Sequence, residues 1–232
     1  MILRRDDTFR VVLNLRTPQN GKEKIGTGIF VSKNSTEPYI VTATHVAKSC
    51  GADSKVVLSD QAGKSLELAL VAFSPKLAWR HHPVADISVL PLTMTPAIEA
   101  HMTKRFFPLD HFHLQKTPVS RDFELTSVGF PHGLGAQGLF SPLTYRSYAS
   151  SALITLLRSD THTPCEFFCL ENPSVGGYSG CPIFDLAYMV VGGMTSTREK
   201  TLCVGIMHGT ISDDTGGKLS AVTPAYYLDG FI

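Results

Sequence analysis

The sequence predicts an all-β protein made of two packed antiparallel units. Three observations carry that expectation. Short apolar runs recur along the chain, bounded by turn residues. No convincing amphipathic helix separates them. One irregular stretch, from 93 to about 120, divides the runs into two sets. Regular short strands with turn signals are the pattern of barrels and sandwiches.

In the first set, Thr8–Leu15 alternates, with Phe9, Val11, Leu13 and Leu15 on one face. Gly26–Ser32 and Tyr39–Ala43 are apolar runs joined by the turn-forming residues 33–38. Lys55–Leu58 and Leu66–Phe73 follow, and Ile87–Leu92 closes the set. Residues 93–102 predict a short helix, and Arg105 to Arg121, rich in Pro, His and Phe, reads as an irregular connection. The second set is Phe123–Gly129, Ala152–Arg158, Cys165–Leu170, Cys181–Phe184, Met189–Met194, Leu202–Gly209 and Lys218–Val222. The tail from Pro224 to Ile232 predicts a short C-terminal helix. The expected division is an N-terminal unit over 1–105, and a connection with a C-terminal unit over 106–232.

Composition narrows the function classes. With 43% hydrophobic and 18% charged residues, the 232-residue chain has enough apolar material for a full core. A net charge of +1 with interspersed signs provides no electrostatic footprint for nucleic acid or an anionic membrane. No window approaches the ~18 apolar residues of a membrane span, and Met1–Thr8 lacks the apolar run of a signal peptide. The five cysteines are an odd number without a secretion signal, so free thiols, no disulfides and a reducing, cytoplasmic setting are expected. Cys165 and Cys169 lack a second pair to complete a zinc site; His81–His82, His111 and His113, and His132 read as loop or surface histidines. No metal and no cofactor are expected.

Chemistry concentrates at Glu171–Asp185, where Gly176, Gly177 and Gly180 flank Ser179. Glycines allow a tight turn that presents a hydroxyl together with backbone N–H groups, the arrangement an oxyanion site needs. Serine is a weak nucleophile and requires a base held by a third group. His45 stands at the end of the apolar run Tyr39–Ala43, and Asp86 directly precedes the run Ile87–Leu92. The chain order His45, Asp86, Ser179 is that of the chymotrypsin type of triad, with the first two in one unit and the serine in the other.

Four motifs in this order resemble those of trypsin-like serine peptidases of the chymotrypsin fold, most nearly the disulfide-free HtrA-type protease domains without a PDZ domain. Thr42-Ala43-Thr44-His45 is similar to T-A-A-H, and Ala85 to Leu90 to D-[IL]-A-[LV]-L. Gly177 to Pro182 is similar to G-[DN]-S-G-G-P, and Ser127 to Gly135 to the segment that opens the second barrel in HtrA-type peptidases. Val204-Gly205-Ile206 is similar to the strand after the nucleophile. The resemblance implies two antiparallel Greek-key β-barrels with the active site in the cleft between them. It implies that Ser179 attacks the scissile carbonyl, that His45 moves the proton, that Asp86 orients His45, and that the N–H groups of Gly177 and Ser179 bind the oxyanion.

Departures are informative. Tyr178 replaces the acid that in digestive members pairs with a newly cut N-terminus, so activation by such a cut is not expected. Pro173 replaces the acid of the trypsin specificity pocket, so Arg or Lys preference is not expected. By resemblance the pocket draws on Pro173, Ser174, Met207, His208 and Gly209. The order Gly205-Ile206-Met207-His208 is one residue longer than the G-x-H of glutamate- and glutamine-specific relatives, which flips the His208 side chain to the other face. The expected activity is endopeptidase cleavage of polypeptides, with a regulatory protein as a further partner. An inactive trypsin-fold binding module and an esterase using the same triad are the competing readings.

Overall fold

The structure is a computed structural model that describes residues 2–34, 36–158, 160–212 and 214–232, without the side chains of 189–191, 195 and 196. Ser35 of the expected 33–38 turn lies outside the described residues. The first sheet holds β1 (Val12–Gln19), β2 (Lys22–Lys33), β3 (Glu37–Thr42), β4 (Lys55–Ser59), β5 (Ser65–Ala69), β6 (Arg80–His81), β7 (Ser88–Pro91) and β8 (Phe107–Pro108). Then come β9 (Leu125–Gly129), β10 (Ala136–Gln137), β11 (Leu139–Phe140), β12 (Leu143–Ser147), β13 (Ile154–Leu157), β14 (Pro164–Leu170) and β15 (Pro182–Asp185). The chain continues with β16 (Tyr188–Val191), β17 (Met194–Thr197), β18 (Leu202–Ser212) and β19 (Lys218–Pro224). Three short helices are α1 (Thr44–Ala47), α2 (Leu70–Phe73) and α3 (Pro96–Met102).

Strand order in the first sheet is β5-β4-β1-β2-β3-β7-β6, antiparallel except where β8 runs parallel to β2. The second follows β12-β9-β15-β18-β19-β14-β13, antiparallel throughout. The run β4-β1-β2-β3 is a Greek key. If β12 and β13 are taken as halves of one interrupted strand, β15-β9-β12/β13-β14 repeats it. Neither sheet closes into a continuous ring of hydrogen bonds: β5 and β6, and β12 and β13, end the two paths. In both cases the terminal strands are consecutive in sequence, so the chain itself spans the gap.

Several strands are buried on both faces, which is why they read as unbroken apolar runs. Leu13, Phe30, Ile40 and Leu90 point into a core of the first sheet. Their neighbours Val12, Ile29, Val31, Val41 and Val89 join Val128, Phe184 and Ile206 of the second sheet in a core shared by both. Phe107 meets Phe184 edge-to-face across this seam, with ring centroids 5.3 Å apart. The ends of the chain cross the seam in opposite senses. Arg5 pairs with Glu124 at 3.2 Å, on the side of the second sheet. Tyr227 and Phe231 both sit with centroids 5.1 Å from the His82 ring, beside the first sheet.

Local chemistry shifts some expected elements. Arg5–Arg10 is a 3-10 helix, and β1 starts at Val12 rather than at Thr8. Asp7 Oδ2 accepts the Arg4 N–H and Thr8 Oγ1 donates to the Arg5 carbonyl, so side chains satisfy this backbone locally. The run Leu66–Phe73 breaks at Ala69, because Leu70 and Phe73, three apart, bury together on the one-turn α2. The expected helix at 93–102 is α3, begun by Thr95 as N-cap and Pro96. Strand β12 was not expected: Leu143-Thr-Tyr-Arg-Ser carries little apolar signal. The C-terminal helix is a single 3-10 turn, Ala225–Leu228.

Candidate active site

Strand β3 stops at Thr42, and the chain turns at once into α1, so His45 sits on a helical turn and not on the strand end. The turn is braced by a chain of hydroxyls: the His81 ring bonds Ser88 Oγ at 2.7 Å, and Ser88 Oγ donates to Thr44 Oγ1 at 2.9 Å. Asp86, two residues before β7, faces α1 and is fully buried. Its Oδ1 accepts the backbone N–H of His45 at 3.1 Å, and its Oδ2 lies 2.8 Å from His45 Nδ1. A carboxylate only accepts, so His45 carries its proton on Nδ1 and leaves the Nε2 lone pair free to act as a base.

Two more donors come from the second sheet. His208 Nδ1 lies 2.5 Å from the same Oδ2, and Arg158 Nη2 reaches Oδ1 at 3.4 Å. Arg158 is itself fixed by Asp160 at 2.7 Å and by the Val84 carbonyl at 2.8 Å. Burial alone pushes the Asp86 carboxyl up. The hydrogen bonds from His208 and His45, with the charge those rings can carry, reverse this and hold it well below the usual carboxylate range.

The Ser179 turn is pinned to the first sheet by Thr27 of β2. Its N–H donates to the Ser179 carbonyl at 2.9 Å, and its Oγ1 donates to the Gly177 carbonyl at 2.8 Å. Gly177 has φ +100°, and a Cβ there would lie 2.3 Å from the Phe130 carbonyl oxygen. Gly180 has φ +84°, and its Cβ would lie 2.1 Å from Thr42 Oγ1, three residues before His45. Only glycine fits either place. Alternate N–H groups of the turn are used internally: Tyr178 donates to Val175 and Gly180 to Met207. Among the described residues, the N–H groups of Gly177 and Ser179 meet no acceptor.

Ser179 Oγ donates to the His208 carbonyl at 3.3 Å, and no hydrogen bond joins it to His45 among the described residues. The His45 and His208 rings stand edge-to-face with centroids 5.6 Å apart. His45, Asp86, His208 and Ser179 therefore form one connected cluster at the junction of the two sheets.

The chain was compared with known proteins. Residues 26–194 match the model of the trypsin-like peptidase domain. The chain belongs to that family. The fold agrees: the active form of the Rv3671c protease from M. tuberculosis superposes with a TM-score of 0.63 at 19% identity, over 97% of this chain and 80% of that one. Human heparin binding protein gives 0.57 at 15%, over 100% and 93%. The serine endoprotease from Yersinia pestis gives 0.55 at 16%, over 99% and 65%. A comparison with curated protein sequences found no match.

In this trypsin-like peptidase domain, the residues expected to line the pocket separate. Pro173, Ser174 and Met207 line a crevice of about 10 Å³ with Tyr145, Leu170 and Tyr178, whereas His208 and Gly209 lie outside that lining. The His208 imidazole turns to Asp86 because β18 bulges there. Met207 pairs with Val222 and Gly209 with Ala221, leaving His208 as the extra residue. The additional residue in Gly205-Ile-Met-His was visible in the sequence; that a bulge would aim it at Asp86 was not. Thr27 and Arg158 also escaped sequence reasoning, because nothing local marks a residue that bonds across a seam.

Tyr178 is buried and donates its hydroxyl to the Leu143 carbonyl at 3.1 Å, so the position before Ser179 carries no charge. All five cysteines are free. Burial pushes the thiols of Cys181 and Cys203 up, Cys203 to about 12, so neither supplies a thiolate at neutral pH. Among the described residues, one group has ligand atoms close enough for a metal: His45, Asp86 and His208, within 4.8 Å of one another. Both imidazole Nδ1 atoms are already engaged with the carboxylate, and the Arg158 guanidinium lies against its other oxygen. That disfavours a cation. Among the described residues, no helix is long and apolar enough to cross a membrane.

Proposed function

We propose that this chain is a serine endopeptidase in which Ser179 is the nucleophile, His45 the general base and Asp86 the group that orients it. The observation that carries the reading is the Asp86 carboxylate holding His45 Nδ1 at 2.8 Å, beside a glycine-built turn that packs Gly180 against Thr42 and ties the Ser179 carbonyl to the Thr27 N–H. Rotation about the Ser179 side-chain bond moves its hydroxyl from the His208 carbonyl toward His45 Nε2. The oxygen then attacks the substrate carbonyl while Nε2 takes the proton. The oxyanion is received by the N–H groups of Gly177 and Ser179. Imidazolium returns the proton to the leaving amine, and water reverses the sequence on the acyl-enzyme.

The substrates are polypeptides. The uncharged crevice lined by Pro173, Ser174 and Met207 does not favour Arg or Lys at the cleaved position. The five free thiols fit a reducing, cytoplasmic setting, in which a regulatory protein partner adjusts activity. The units 1–105 and 106–232 contribute His45 with Asp86, and Ser179, respectively.

A fluorophosphonate, which phosphonylates only an activated serine, tests this directly. The wild type should label and the Ser179→Ala variant should not, with its circular dichroism unchanged. His45→Ala should lose activity to a similar extent, since triad members act as a unit. A folded wild type that neither labels nor turns over peptides or esters would favour a binding module on the same fold. A cleavage profile on a peptide library separates endopeptidase from esterase.

A further inference from the structure

We propose that one end of the second sheet holds a binding site for a small phosphate monoester carried on a flat ring, as in an aryl phosphate or a nucleoside monophosphate. The inference goes beyond the peptidase reading and does not depend on it.

The site is built by strand alternation. Residues two apart on a strand share a face. Glu124 and Thr126 share one at the start of β9, and Arg146 and Tyr148 share one at the end of β12. Thr126 pairs directly with Arg146 across the two strands. The N-terminal segment and Tyr188 of β16 close over this face: Leu3 N–H donates to Thr201 Oγ1 at 2.8 Å, and Arg5 N–H to the Tyr188 hydroxyl at 3.3 Å. The resulting cavity of about 370 Å³ has Arg5, Arg146 and Arg198 in its lining, with the aromatic residues Phe123, Tyr148 and Tyr188. That volume is in the range of small-molecule sites.

Three arginines stand here against one lining carboxylate, Glu124, which cannot saturate them. Each guanidinium has five N–H donors. Arg5 gives one to Glu124 Oε1 at 3.2 Å, and its Nε is buried with no acceptor among the described residues. Arg146 stands 3.6 Å from Glu124 Oε2. Arg198 donates to Asp185, and its guanidinium carbon lies 3.7 Å from the centroid of the Phe123 ring. A stacked guanidinium keeps its N–H edge for an oxyanion. A buried N–H without an acceptor costs stability, and a bound oxyanion removes that cost after a small turn of Arg5. Guanidinium forks match phosphate oxygens in pairs. A dianion suits the site better than a carboxylate because it outweighs the charge of Glu124. Phe123 and Tyr148, 36% and 40% exposed, offer flat faces to the ring of the ligand.

Calorimetric titration of the full chain with phenyl phosphate, adenosine 5′-monophosphate, inorganic phosphate and adenosine tests this. Both ring-bearing phosphates should bind, inorganic phosphate at least tenfold more weakly, and adenosine not at all. The preferred one of the two names the natural source of the ligand. Arg146 has a side chain 64% exposed, so Arg146→Gln leaves the fold intact. It should weaken both ligands about tenfold or more, the size of one charged hydrogen bond. Glu124→Gln should tighten them severalfold. Backbone amide shifts on titration should centre on Thr126, Arg146 and Tyr188.

Four results overturn the proposal: no binding of either ring-bearing phosphate at millimolar concentration, equal affinity for inorganic phosphate or adenosine, unchanged affinity when Arg146→Gln and Arg198→Gln are combined, or shifts centred on the Ser179 turn. Fluorophosphonate labelling reports on Ser179 separately, so this site and the peptidase reading can each fail alone.

Discussion

Asp86 accepts from four donors, two on each oxygen, in a place closed to water. Burial pushes its carboxyl up, and the hydrogen bonds from His208 and His45 outweigh that and depress it. A depressed folded-state value means that Asp86 contributes stability above its unfolded value of ~3.9, and that this contribution is lost as pH falls through the lower folded value. The thermal midpoint of the wild type should therefore exceed that of Asp86→Asn by most near pH 7, and the gap should narrow below about pH 4. Calorimetry of the two proteins from pH 7 to 3 checks this; a constant gap would refute it. Activity of Asp86→Asn should be lost at all pH values. Under the peptidase reading, an amide that offers N–H to His45 Nδ1 drives its proton to Nε2, where the Ser179 proton would have to go.

Thr27 shows how a strand controls a turn. It sits in the middle of β2, and its hydroxyl donates to the Gly177 carbonyl while accepting the Phe130 N–H at 3.2 Å. Removing that hydroxyl leaves both groups without partners. Thr27→Ala should cost about 1–3 kcal/mol in urea unfolding and lower kcat more than it raises KM, because the loosened turn carries Gly177 and Ser179. Thr27→Ser should behave as wild type; equal losses in both variants would assign the effect to the methyl group. Elements of this kind explain what sequence reading could reach. β2, β3, β7 and β18 announced themselves because burial on both faces wrote continuous apolar runs into them. His45, Asp86 and Ser179 stood out because their neighbours form turns with specific chemistry. β12 hid behind Tyr145 and Arg146, and the 3-10 helix at Arg5–Arg10 behind an accidental alternation. The His208 contact depends on a bulge, which is decided by how β18 and β19 align and not by either strand alone.

At the scale of the molecule, the two sheets share one core and one carboxylate. Arg158 crosses from the second sheet to Asp86 and the Val84 carbonyl with its side chain 4% exposed. Breaking such a buried pair from one side leaves an uncompensated charge, so Arg158→Met should destabilise by about 3 kcal/mol or more. The same seam, filled by Val12, Ile29, Val128, Phe184 and Ile206, should make unfolding a single event. Urea transitions followed by Trp79 fluorescence, which reports the first sheet, and by far-ultraviolet dichroism should coincide in wild type and variant. Two separated transitions would show that the sheets fold independently.

The crossing of the seam also sets a timetable for synthesis. When the ribosome has delivered β7, the emerging chain already contains His45 and Asp86, but Arg158, Ser179 and His208 have yet to be translated. Tyr227 and Phe231, which cover His82, come later still. Under the peptidase reading, a nascent chain stalled before β18 should not label with a fluorophosphonate. The ability to cut would arise only after the chain through β18 has left the exit tunnel, which spares the unfinished polypeptide, and those being made beside it, from its own chemistry.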